Sequence, residues 1–121
     1  PKFLFAYGKM LHEMKRYNCS NAVLHEGLKV SSDPMFHVVI GNNYKALGAF
    51  KEAEEHYTRA FIQGPNKMYP LYQLLQLYIE VDDIVKAKEM AQRVVDFKPK
   101  IRSSATDEMK EFAKEYITNK K

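Results

Sequence analysis

One cysteine, Cys19, is all this chain has, which excludes an internal disulfide and a cysteine-built zinc site. Its place at the start of a helical pattern predicts a small core residue; a reactive thiol would need an electropositive, partly exposed setting. Asn18-Cys19-Ser20 matches the glycosylation triplet, but Asn18 reads as a helix cap. No apolar run approaches the roughly 20 residues that a bilayer-spanning helix needs, and no signal-peptide order of basic, apolar and small residues opens the chain. The first residue is Pro1 rather than methionine, as in a piece of a longer protein whose address is written elsewhere. Glycine-rich phosphate loops, a nucleophile elbow and a carboxylate pair are all missing. His12-Glu13 and His25-Glu26 each lack a second histidine four residues on, so neither is the zinc-protease helix motif. The four histidines fall on different helical segments, which predicts partly exposed surface groups. No catalytic residue, metal ligand or cofactor is expected, and the chain reads as a non-enzyme.

What is present fits one globular domain: 121 residues, 45% hydrophobic and 28% charged. The net charge of +4 sits at one end. Residues 1–85 carry nine Lys/Arg against nine Asp/Glu, while residues 86–121 carry ten against six. Acids interleave with those cations, so the bias reads as a solvated helix face and not as a nucleic-acid surface.

The organising stretch is Ile40 to Pro65, whose spacing of small and bulky residues returns 34 residues later. Gly41 falls on Leu75, Tyr44 on Tyr78, Ala53 on Ala87, Tyr57 on Ala91, Ala60 on Val94 and Pro65 on Pro99. A period of 34 with helical spacing inside each unit predicts a helix-turn-helix solenoid, all-α throughout. Phe3, Ala6, Tyr7, Met10, Leu11 and Met14 form one apolar stripe over residues 3–15, the first helix. After a polar break, Cys19, Ala22, Val23, Glu26 and Val30 continue the period, with Leu24, Gly27 and Leu28 widening it. Asp33 and Pro34 predict an N-cap and first position for the third helix, which runs to about Leu47. Gly48 supplies a left-handed C-cap before Phe50 opens the fourth helix, and Gly64-Pro65 should close that helix by the same logic. Pro70 requires the fifth helix to begin near Lys67, and this helix should end near Val81; Asp83 can cap the sixth, which ends before Pro99. Ser104 and Asp107 suggest a capping box for a last helix, 104–118, with Met109, Phe112, Ala113, Tyr116 and Ile117 on one side and Lys110, Lys114 and Glu115 opposite. Such a helix would cover the last apolar face of the stack.

Gly41, Tyr44, Gly48, Ala53, Tyr57, Ala60 and Pro65 resemble the tetratricopeptide-repeat signature in one register. Residues 68–101 keep Leu71, Tyr78, Ala87, Val94 and Pro99 but carry Leu75 in place of the glycine and Ala91 in place of the aromatic. Residues 2–33 keep Gly8 after a one-residue shift, with Ser20, Leu24 and Gly27 at the usual small and aromatic places. The expectation is a single domain of three helix pairs, about 2–33, 34–67 and 68–101, plus the capping helix. Spacing implies that Gly41 and Ala53 let two helices approach while Tyr44 and Tyr57 fill the space beside them.

The resemblance implies a right-handed superhelix whose concave face is lined by the first helix of each pair. The exposed candidates there are Phe5, Lys9 and His12, then Val38, Asn42 and Lys45, then Tyr69, Tyr72, Gln76 and Ile79. Aromatic rings and amides suit an extended peptide, since they offer contact area and backbone hydrogen bonds. The alternative is that the tyrosines contact neighbouring helices and the groove is wet surface or is filled by part of the parent protein. Chaperone-binding members of the family grip a terminal carboxylate with cations and amides. Asn42 matches that clamp, but Phe5, Tyr72 and Gln76 stand where it needs cations, which argues against a chaperone C-terminus. The expected function is a non-catalytic interaction module for a protein or peptide of unspecified identity.

A second resemblance runs from Asn66 to Glu111, which is similar to the repeat-bearing C-terminal tail of bacterial O-antigen ligase/polymerase-like membrane proteins. It implies an accessory domain tethered to the bacterial inner membrane through a preceding multi-span enzyme. The catalytic residues would lie in that enzyme.

Overall fold

The computed structural model describes residues 1–119. Among them are seven helices: α1 (Lys2–Glu13), α2 (Tyr17–Leu28), α3 (Met35–Ala46), α4 (Phe50–Gln63), α5 (Tyr69–Glu80), α6 (Ile84–Asp96) and α7 (Ser104–Asn119). None of them is long and apolar enough to cross a membrane. By compactness the chain divides into one unit over Pro1–Gly64 and another from Pro65 on.

In the first unit α1 packs on α2 and α3 on α4, with α3 also against α2 and α1. Leu24, Phe36, Val39 and Ile40 form its buried centre, flanked by Leu4, Phe5, Leu28 and Tyr44. A Cβ on Gly41 would lie 2.6 Å from Cε1 of Tyr57, so the missing side chain is what admits that ring between α3 and α4. Gly8 leaves the same room for Leu24 between α1 and α2. Ala53 and Ala60 are fully buried beside them. In the second unit α5 packs on α6 and α6 on α7. There Leu75 and Ala91 are both fully buried, so the bulk at the equivalent crossing comes from the first helix of the pair and not the second.

The turn inside each pair is the same device three times. Lys15, Gly48 and Asp82 have φ of 63°, 78° and 61°. Each donates its N–H to the carbonyl three residues back, of His12, Lys45 and Ile79, while the next residue's N–H donates to the carbonyl five back, of Leu11, Tyr44 and Tyr78. This is the Schellman closure, which satisfies two orphan carbonyls by one left-handed residue. Only the glycine advertised it, because only glycine adopts that conformation without steric cost.

Several local expectations are corrected. Asn18 lies inside α2, whose N-cap is Arg16. Cys19 is exposed, because α2 buries Ser20, Asn21, Leu24 and Gly27 and turns Cys19, Ala22 and Glu26 outward. Gly64 ends α4 with φ −131°, outside the left-handed region, and Pro65, lacking an N–H, stops the helix instead. The capping box of α7 is one residue earlier: Thr106 N–H donates to Ser103 Oγ and Ser103 N–H to Thr106 Oγ1. Lys110 turns inward, where its Nζ donates to the carbonyls of Val94, Val95 and Phe97 and so caps the C-terminus of α6. Asp83 caps α6 as expected, while α3 begins at Met35 with Pro34 rather than Asp33 at its N-cap position. Asp33 Oδ1 accepts the Met35 N–H at 2.9 Å, Pro34 already has helical dihedrals, and Asp83 accepts the Lys86 N–H.

Candidate functional site

Within the first unit one member of the predicted binding face, Val38, is buried, and three others are half-buried and engaged in packing or hydrogen bonds. Val38 is fully buried, because α3 has neighbours on several sides and buries Phe36 through Gly41 without a break. Phe5 packs edge-on against Phe36 with ring centroids 5.4 Å apart, so it belongs to the core margin. Asn42 is half-buried and its Oδ1 accepts the Tyr57 hydroxyl, which ties it to the α3–α4 crossing. His12 is half-buried and donates from Nδ1 to Asn43 Oδ1 at 2.6 Å. Lys9 remains exposed and Lys45 half-exposed.

The Asn43 side chain was not anticipated. It is fully buried and donates to Ser20 Oγ at 2.9 Å and Asn21 Oδ1 at 2.8 Å, while Ser20 donates to the Gly8 carbonyl. With His12 this network joins α1, α2 and α3 and leaves no buried side-chain polar atom unpaired among the described residues. A satisfied network of this kind fixes the register of three helices, because any slip would strand an amide away from water. Nothing in the spacing of isolated Ser and Asn residues distinguishes them from surface polar groups.

The histidines are likewise gathered by the fold. His37 and His56 are buried, with their Nδ1 atoms 3.0 Å apart, so one ring donates its Nδ1–H to the bare Nδ1 of the other. Tyr44 stacks on His56 at 5.5 Å, and the His25 ring meets it edge-on at 5.9 Å. Burial holds His37 below the ordinary imidazole range, with Arg59 and His25 adding to it. Burial, then His37, Arg59 and His25, push His56 down to about 4. The pair is therefore neutral near pH 7. Among the described residues no group of three or more His, Cys, Asp or Glu is placed to hold a metal ion.

In the second unit the face of α5 is more open. Tyr69 is at the surface, and Gln76 and Ile79 are half-exposed. Tyr72 is partly taken by α7, its ring lying edge-on to Phe112 at 5.9 Å. Two cations beyond α6 are engaged, Lys110 on carbonyls and Arg102 on Asp107 at 3.0 Å.

No family model matches this sequence, and no curated protein matches it either. Solved structures do match in fold. The TPR domain of Sgt2 from Aspergillus fumigatus superposes with a TM-score of 0.76 at 19% identity, over 98% of this chain and 80% of that one. PcrH in complex with the chaperone binding region of PopD gives 0.79 at 11% identity, over 98% and 88%. The first TPR of Spaghetti (RPAP3), bound to the HSP90 peptide SRMEEVD, gives 0.76 at 14%, over 96% and 94%. The chain thus has the all-α helical-repeat fold of tetratricopeptide domains.

Proposed function

We propose that this chain is a non-catalytic protein-interaction module that takes peptide segments on the exposed first-helix faces within each of its units. The observation that carries the reading is a set of uncommitted side chains. Lys9 on α1, Lys45 on α3, and Tyr69 and Gln76 on α5 are at least partly exposed and have no side-chain hydrogen bond, ion pair or ring contact among the described residues. A cation answers a carboxylate, a side-chain amide bonds a peptide backbone, and an aromatic ring adds area at low entropic cost. Structures of like fold that hold an HSP90 peptide or a segment of PopD support the same use of the fold. The occupant differs from a chaperone C-terminus, since Phe5, Tyr72 and Gln76 replace the cations of the family's carboxylate clamp.

Peptides selected from a random library against the purified chain test this. Lys9→Ala with Lys45→Ala, and separately Gln76→Ala, should each weaken the selected peptides about tenfold, the loss of roughly 1.4 kcal/mol of contact. Melting temperatures should stay unchanged, because these side chains hold nothing in place. Selected peptides that bind every variant equally would put the site elsewhere.

A further inference from the structure

Nothing in the first unit covers one line of α1. Phe3, Tyr7, Met10 and Met14 follow each other at intervals of four, three and four, which aligns them along the helix. Their relative exposures are 79%, 42%, 46% and 56%, while the neighbouring face of the same helix buries Gly8 and Leu11. The Phe3 and Tyr7 rings sit 6.3 Å apart and make the N-terminal half of the seam continuous. Lys9 lies on another line of α1, so the seam is separate from the peptide face proposed above.

We propose that this seam is a self-association surface and that its occupant is α1 of a second copy, packed antiparallel. A two-fold axis between Tyr7 and Met10 sets Tyr7 against Met10 of the second copy and Phe3 against its Met14. Every aromatic ring then meets a thioether, a favourable pairing that lets the flexible methionines fit around the rings. A parallel pairing would instead set ring on ring and methionine on methionine. Charge agrees with the antiparallel choice. Lys2 comes within a turn of Glu13 of the second copy on the same flank, and both residues are exposed with no partner among the described residues of their own chain. Four large side chains about half exposed offer roughly 400 Å² per copy, about half of a standard interface, so the dimer is weak, with Kd above about 10 µM.

Sedimentation equilibrium on Cys19→Ser protein, from about 10 µM to 1 mM, reads the association directly. The expected result is a reversible monomer–dimer equilibrium that Tyr7→Glu or Met10→Glu shifts at least tenfold toward monomer, with far-UV circular dichroism unchanged. Met14→Glu, at the end of the helix, serves the same purpose if either of those fails to fold. Orientation is read by mixing Tyr7→Cys and Met10→Cys proteins in the Cys19→Ser background under mild oxidation. Antiparallel packing yields mainly the mixed disulfide. A chain that stays monomeric throughout the range, a dimer indifferent to the glutamates, or preferential Met10→Cys self-linkage would each overturn the proposal.

Discussion

Exchanging bulk across the α3–α4 crossing is the sharpest test of how the repeats are filled. Tyr57 is fully buried, and its ring carbons would lie 2.6 and 2.7 Å from a Cβ on Gly41. Its hydroxyl is held by Asn42, so the ring cannot step aside without losing that bond. Gly41→Leu alone should therefore overpack the site and cost about 3 kcal/mol, the upper end of such insertions. Tyr57→Ala alone empties a buried ring and should cost about 3–5 kcal/mol. Together they reproduce the arrangement of Leu75 and Ala91, which the second unit already tolerates with both side chains fully buried. The leucine then occupies the space the tyrosine left. The double variant should recover about 2 kcal/mol or more relative to additive costs, an interaction energy near the top of the range for touching residues. Leucine is smaller than tyrosine and makes no hydrogen bond, so recovery stops short of wild type. Urea unfolding followed by circular dichroism on the four proteins of the cycle supplies the energies. Additivity within about 0.5 kcal/mol would mean that the two positions do not share one space, and the reasoning would fail.

Two further outcomes follow from the turns and the buried imidazoles. Lys15→Gly and Asp82→Gly should each stabilise the chain by about 0.5–1 kcal/mol, since the left-handed φ at both sites costs a side-chain-bearing residue roughly 1–2 kcal/mol and glycine's extra chain entropy returns only part of that; a lower urea midpoint in the Lys15 variant would contradict the turn geometry. His56 starts from an ordinary value of 6.5 and is lowered to about 4 in the folded chain, so both states are neutral above 6.5 and the group adds no pH dependence there. Between 6.5 and about 4 the unfolded chain binds the extra proton, so stability falls as pH drops through that window and the contribution levels off below it. His56→Gln should flatten that part of the stability profile; an unchanged slope would refute the role of the buried pair.

Binding surfaces were harder to read from the chain than repeats. Lys9, Lys45, Tyr69, Gln76 and Ile79 do reach the surface at least in part, whereas Val38, Phe5, Asn42 and His12 are drawn into packing or hydrogen bonds. A helical period names a line of residues but not the number of neighbours on each side of it. Val38 is inside because α1, α2 and α4 all press on α3; the first-helix stripe of Phe3, Tyr7, Met10 and Met14 is outside because nothing in its unit lies against it.

The sequence by itself determined the helices, their pairing and their period, because backbone dihedrals, caps and the spacing of glycine and alanine are local properties. Gly48, Asp83 and the Gly41–Tyr57 pair all work where the spacing placed them. Tertiary structure alone decided which faces meet. His25, His37 and His56 lie on three different helices, and Ser20 and Asn43 on two, yet packing brings each group within contact distance. Those contacts depend on helix crossing and rotation, which arise from the fit of whole surfaces and leave no periodic trace in a single strand of residues.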